Sequence, residues 1–122
     1  MPQIMVVDDE ELVRFTLRQA LEKGGFDVVE APNGKEALEL QRREPADLVV
    51  TDILMPEKEG IETIRELKRE YPDTKIIAIS GGGRMDNVDF LNMSRHFGTD
   101  AVLPKPFDPR DLLKLAQQFL GS

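Results

Sequence analysis

The sequence predicts an α/β fold, a (βα)5 chain in which a doubly wound, five-stranded parallel sheet carries helices on both faces. Two observations predict it. Short apolar runs, each too brief for a helix, alternate along the chain with stretches of helical periodicity. Most of these runs are continuously apolar and rich in β-branched residues, the pattern of strands buried on both faces. Parallel strands joined through helices then require right-handed crossovers.

In chain order, Ile4 to Val7 form the first run. Val13, Leu17, Ala20 and Leu21 share one helical face, and that helix stops at Gly24-Gly25. Val28 and Val29 mark the second strand, and Asn33-Gly34 can open a second helix that must end before Pro45. Leu48 to Thr51 form the third strand. Glu57, Lys58 and Glu59 read as a solvated turn, after which Ile61, Ile64, Leu67 and Tyr71 make the stripe of a third helix, stopped by Pro72. Ile76 to Ile79 form the fourth strand, and a less regular fourth helix is expected near Asn87 to His96. Ala101 to Leu103 form the fifth strand. Asp108 then caps a fifth helix with Pro109 in its first turn, leading into Leu112, Leu115, Ala116 and Phe119.

Composition narrows the class. With 122 residues, 40% hydrophobic and 32% charged, one domain spanning residues 1–122 is expected. The net charge of -7 argues against direct contact with nucleic acid or an anionic membrane. There are no cysteines, so neither disulfides nor a thiolate metal site can form. The opening MPQIMVVDDEEL has no basic or long apolar leader, and no stretch approaches the ~18 apolar residues of a membrane span, so a cytoplasmic location is expected.

The chemistry-bearing residues fall at strand ends. Asp8 and Asp9 follow the first strand, Asp52 the third, Ser80 the fourth and Lys105 the fifth. In a parallel sheet all of these lie on the carboxyl edge, where open α/β folds place their ligands. If the first and third strands are neighbours, about 4.8 Å apart, their terminal carboxylates meet. Two such charges about 4 Å apart repel by on the order of 4 kcal/mol at an effective dielectric near 20, so either raised carboxyl pKa values or a cation must offset them. Oxygen donors without His or Cys favour a hard ion, Mg²⁺ or Mn²⁺ in its place. A metal, a lysine and a hydroxyl around one carboxylate make a site for phosphoryl transfer.

These segments resemble the receiver domains of bacterial two-component response regulators, the CheY-like family. They are VVDDEE from Val6, TDILMPEKEG from Thr51, AIS ending at Ser80 and LPKPF from Leu103, and their order and spacing match along essentially the whole chain. The resemblance implies a flavodoxin-like strand order, 2-1-3-4-5. It implies that Asp52 takes a phosphoryl group from a phosphohistidine of a sensor histidine kinase or phosphotransfer protein, or from a small phosphodonor. Asp9 and Asp52 would ligate Mg²⁺ directly, Asp8 through a water, and Leu54 through its backbone carbonyl. Lys105 would pair with the phosphoryl oxygens and Ser80 would hydrogen-bond one of them. An output domain or protein would be engaged through the face of the fourth helix, fifth strand and fifth helix. Such a chain catalyses only its own phosphorylation and dephosphorylation and is not otherwise an enzyme.

Two features depart from the family pattern. Val102 stands where many members carry an aromatic residue that swings inward, and Ser80 is followed by Gly81-Gly82-Gly83. Rival functions meet obstacles of their own. An aspartate-nucleophile phosphohydrolase needs a second aspartate two residues after the nucleophile, where Leu54 stands. A flavin or nucleotide binder needs a glycine- and hydroxyl-rich loop after the first strand, where Asp8-Asp9-Glu10-Glu11 would repel phosphate. A pseudo-receiver acting only as a docking module would have no need of Asp8, Asp9, Asp52, Ser80 and Lys105 together. The lone His96 and the methionines are assigned no role.

Overall fold

The computed structural model describes residues 2–52, 57–80, 98–104 and 107–121, without the side chains of residues 57–61 and 80. The elements are β1 (Gln3–Val7), α1 (Glu11–Lys23), β2 (Asp27–Ala31), α2 (Gly34–Arg43), β3 (Leu48–Asp52), α3 (Glu57–Glu70), β4 (Lys75–Ser80), β5 (Ala101–Pro104) and a C-terminal helix (Pro109–Leu120). All strand pairs are parallel, in the order β2-β1-β3-β4-β5. Both the architecture and the strand order therefore match the expectation. The helix expected near Asn87 to His96 lies outside the described residues.

Strand alternation divides the core in two. Ile4, Val6, Leu48, Val50, Ile77 and Ile79 face Leu17 and Leu21 of α1 and Leu112 and Ala116 of the C-terminal helix. Met5, Val7, Val49, Ile76 and Ala78 face Ala37 of α2 and Ile64 and Leu67 of α3. Each fully buried Leu or Ile contributes roughly 1.5–3 kcal/mol, which is why the central strands are apolar on both sides.

Local chemistry sets the boundaries. Helix α1 ends as the glycine pair predicts: Gly25 takes φ 92°, its N–H donates to Glu22 O at 3.0 Å and Phe26 N–H donates to Leu21 O at 3.3 Å. That is the Schellman arrangement, and Phe26 and Leu21 both enter the core. Asn33 caps α2, its side chain accepting the Glu36 N–H at 2.9 Å. Asp108 caps the C-terminal helix, with Pro109 at its start.

One reading is corrected. Glu57, Lys58 and Glu59 form the first turn of α3 rather than a solvated turn. Glu and Lys are good helix formers, and acidic residues suit a helix N-terminus, so α3 begins well before its apolar stripe.

At the amino edge of the sheet, Gln41 is buried and closes the β3 entry. Its Oε1 accepts the Ala46 N–H at 2.9 Å, and its Nε2 donates to Ala46 O at 3.1 Å and Thr74 Oγ1 at 3.2 Å. Among the described residues, no helix is long and apolar enough to cross a membrane.

Candidate functional site

The carboxyl edge of β1 and β3 carries the candidate site. In the parallel register Val7 pairs with Thr51, so Asp8 and Asp52 occupy corresponding positions one step further on. Alternation puts both on the side of the sheet covered by α1 and the C-terminal helix, continuing the rows Ile4–Val6 and Leu48–Val50. Asp8 is 1% exposed and Asp52 6%, whereas Asp9 and Glu10 are open to solvent. Buried carboxylates at a strand end are costly unless partnered, which makes the position a candidate site.

The segment after β1 is tightly held. Asp8 N–H donates to Ala31 O at 3.2 Å, and Asp8 Oδ1 accepts the Glu10 N–H at 2.8 Å. Asp8 O accepts from Arg14 Nη1 at 2.6 Å. Helix α1 takes Glu10 as its N-cap with no side-chain hydrogen bond, so neither Asp8 nor Asp9 serves as that helix's cap.

Among the described residues, ligand oxygens of Asp8, Asp9 and Glu10 lie within 4.8 Å of one another. Glu10 was not among the residues singled out from sequence. Its signal was the unbroken acidic run Asp8-Asp9-Glu10-Glu11, which sequence reasoning used only as a barrier to phosphate. Asp52 is not a member of this close group and approaches it from the neighbouring strand. Three carboxylates at this spacing, one of them buried, repel one another, and an all-oxygen donor set fits a hard divalent cation.

Charge behind the site is balanced by an ion-pair network. Arg14 Nε lies 3.1 Å from Glu30 Oε1, Arg18 Nη1 lies 2.9 Å from Glu30 Oε2, and Arg18 Nε lies 3.2 Å from Glu22 Oε2. The hydrogen bond to Glu30, then that to Glu22, holds the Arg18 guanidinium above its usual range.

Ser80 ends β4 and its backbone pairs with Pro104, the last residue of β5, while its side chain lies outside the described residues. Leu54 and Lys105 also lie outside them, as do Gly81-Gly82-Gly83. Val102 is half-buried and packs against the cluster of Met5, Val7 and Ala78.

With this geometry in hand, comparison with known proteins gives a consistent result. Residues 4–117 match the family described as response regulator receiver domain. The chain is 39% identical over 121 residues to the response regulator receiver protein CpdR of Brucella abortus (strain 2308), covering 98% of each. It is 35% identical over 113 residues to the transcriptional regulatory protein CpxR of Escherichia coli (strain K12), covering 93% of this chain and 47% of CpxR. The chain thus spans about half the length of that relative. A crystal structure of a response regulator from Thermotoga maritima superposes with a TM-score of 0.85 at 34% identity, covering 100% of this chain and 99% of that one.

Proposed function

The chain belongs to the response regulator receiver domain family of two-component systems, and from that premise we propose that it accepts a phosphoryl group on Asp52 in a Mg²⁺-dependent reaction and signals by changing conformation. The observation that carries this reading is the register of β1 and β3, in which Asp8 and Asp52 stand side by side on one face of the carboxyl edge. The close oxygen group of Asp8, Asp9 and Glu10 beside them supports it.

Asp8, Asp9 and Asp52 would hold Mg²⁺, or Mn²⁺ in its place, with the Leu54 carbonyl as a further donor and Glu10 within reach. When bound, the cation neutralises charge on the transferring phosphoryl oxygens. A carboxylate oxygen of Asp52 forms the new P–O bond while the donor's P–N bond breaks, its electron pair leaving with the histidine nitrogen. Lys105 pairs with the phosphoryl oxygens, and Ser80 donates a hydrogen bond to one of them after transfer. Sheet and helix packing around Asp52 excludes bulk water, which strengthens these contacts.

The donor is a phosphohistidine on a sensor histidine kinase or phosphotransfer protein. A few new charge-assisted hydrogen bonds at Ser80 bias a two-state equilibrium, read out on the face that the family resemblance assigns to a fourth helix, β5 and the C-terminal helix. Half-buried Val102 would move less bulk than an aromatic residue there, so the movement of Ser80 carries the switch.

Intact mass after incubation with Mg²⁺ and acetyl phosphate or phosphoramidate tests the reading. Wild type should gain one phosphoryl group, and chelation or Asp52→Asn should abolish the gain. Failure with every small donor and with a phosphorylated kinase would reduce the chain to a docking module.

A further inference from the structure

Arg14 makes two contacts that the phosphoryl-transfer reading leaves unused. Its Nη1 donates to the backbone carbonyl of Asp8 at 2.6 Å, and its Nε pairs with Glu30 Oε1 at 3.1 Å. The side chain is only 14% exposed. Glu30 comes from β2 at the register of Val6, and Ala31, the next residue, accepts the Asp8 N–H. The backbone of Asp8 is therefore tied to β2 at both of its polar groups, directly through Ala31 and through Arg14 to Glu30.

The carbonyl of Asp8 belongs to the peptide that joins Asp8 to Asp9. Fixing that peptide fixes how the two carboxylates are presented relative to each other. A charge-assisted hydrogen bond from a planar guanidinium, itself held by a second partner, is suited to that task. Arg14 is poorly placed as a countercharge, because its charge is matched by Glu30 and its donor meets a carbonyl. We propose that Arg14, braced by Glu30, is a positioning residue for the cation site: it orients the Asp8–Asp9 peptide so that the carboxylates meet a divalent ion at productive spacing. This rests on the functional reading above.

The sign of the effect separates positioning from simple electrostatics. Removing a positive charge near a cation site should tighten binding if Coulomb forces alone operate. Loss of a group that orients ligands should weaken it, by about tenfold where such groups have been removed from metal sites. Arg18 is the natural control, since it shares Glu30 yet has no hydrogen bond to Asp8.

The experiment is calorimetric titration of Mg²⁺ and Mn²⁺ into wild type, Arg14→Ala, Arg14→Lys and Arg18→Ala. Arg14→Ala should bind about tenfold more weakly. Arg14→Lys keeps the charge without the fork, so it should also bind more weakly, and it carries the test if the alanine variant fails to fold. Arg18→Ala should match wild type. Unchanged or tighter binding by the Arg14 variants, or equal weakening by Arg18→Ala, overturns the proposal and leaves the functional reading intact. Absence of binding by wild type itself overturns both.

Discussion

Asp8 and Asp52 stand at corresponding positions on adjacent parallel strands, one step beyond the pair Val7–Thr51, and both are buried. Two carboxylates so placed, with Asp9 and Glu10 close by, gather negative charge at the carboxyl edge that a divalent cation would offset.

Mg²⁺ should stabilise the folded chain, because the cluster exists only in the folded state. At a hundredfold excess over Kd the gain is about 2.7 kcal/mol. Asp9 is exposed, so Asp9→Asn should change stability in chelator by less than about 0.5 kcal/mol while shrinking the Mg²⁺-dependent gain. Thermal unfolding with and without Mg²⁺ measures both quantities. An identical gain in wild type and variant would remove Asp9 from the cation site.

Leu12 and Phe15, 74% and 52% exposed, are the large apolar side chains left open among the described residues. They lie in the first turns of α1, close in sequence to Asp8 and Asp9, as a patch for a protein phosphodonor would. Replacing both with alanine should slow transfer from a phosphorylated partner several-fold while leaving labelling by acetyl phosphate unchanged. Equal loss with both donors would mean that the substitutions disturb the site itself.

Gln41 is the linchpin of the opposite edge. Gln41→Leu strips Ala46 of both amide partners in a buried setting, and the cost should be about 2–3 kcal/mol. Urea unfolding would report it. Phosphorylation of the folded fraction should persist, since Gln41 lies at the amino edge, away from Asp52.

Asp108 provides a pH handle. Its side chain accepts from Arg110 at 2.7 Å and caps the helix, and Arg110 first, with its own backbone N–H, lowers the carboxyl from 3.8 to about 2. A lowered pKa means stability that is complete above pH 3.8 and lost as pH falls toward 2. Asp108→Asn keeps a cap but not the charge. Its stability should fall below wild type at neutral pH, with the difference closing between pH 4 and about 2. A pH-independent difference would show that the cap hydrogen bond alone matters.

Much of this molecule is legible before folding. Gly24-Gly25, Asn33 and Asp108-Pro109 mark helix ends because left-handed backbone, side-chain caps and proline's missing donor are properties of single residues. The stripe Leu112, Leu115, Ala116 and Phe119 announces a buried face because helical periodicity is local. The start of α3 was misread at Glu57 because a short charged run is equally at home in a turn and in a first helical turn, and only the continuing hydrogen-bond ladder distinguishes them.

The sequence by itself determined the alternation of strands and helices found among the described residues and put Asp8, Asp9 and Asp52 at the carboxyl ends of strands, because strand polarity is set by chain direction and alternation by side-chain period. The family resemblance implied that β1 lies against β3, and the tertiary structure bears it out. Only the tertiary structure decided that Glu10 joins Asp8 and Asp9 within 4.8 Å and that Arg14 reaches both the Asp8 carbonyl and Glu30. Those relations join residues between 6 and 44 positions apart or turn the chain sharply after β1. They depend on which sheet face α1 covers and which strands share hydrogen bonds, and no local pattern of residues encodes that choice.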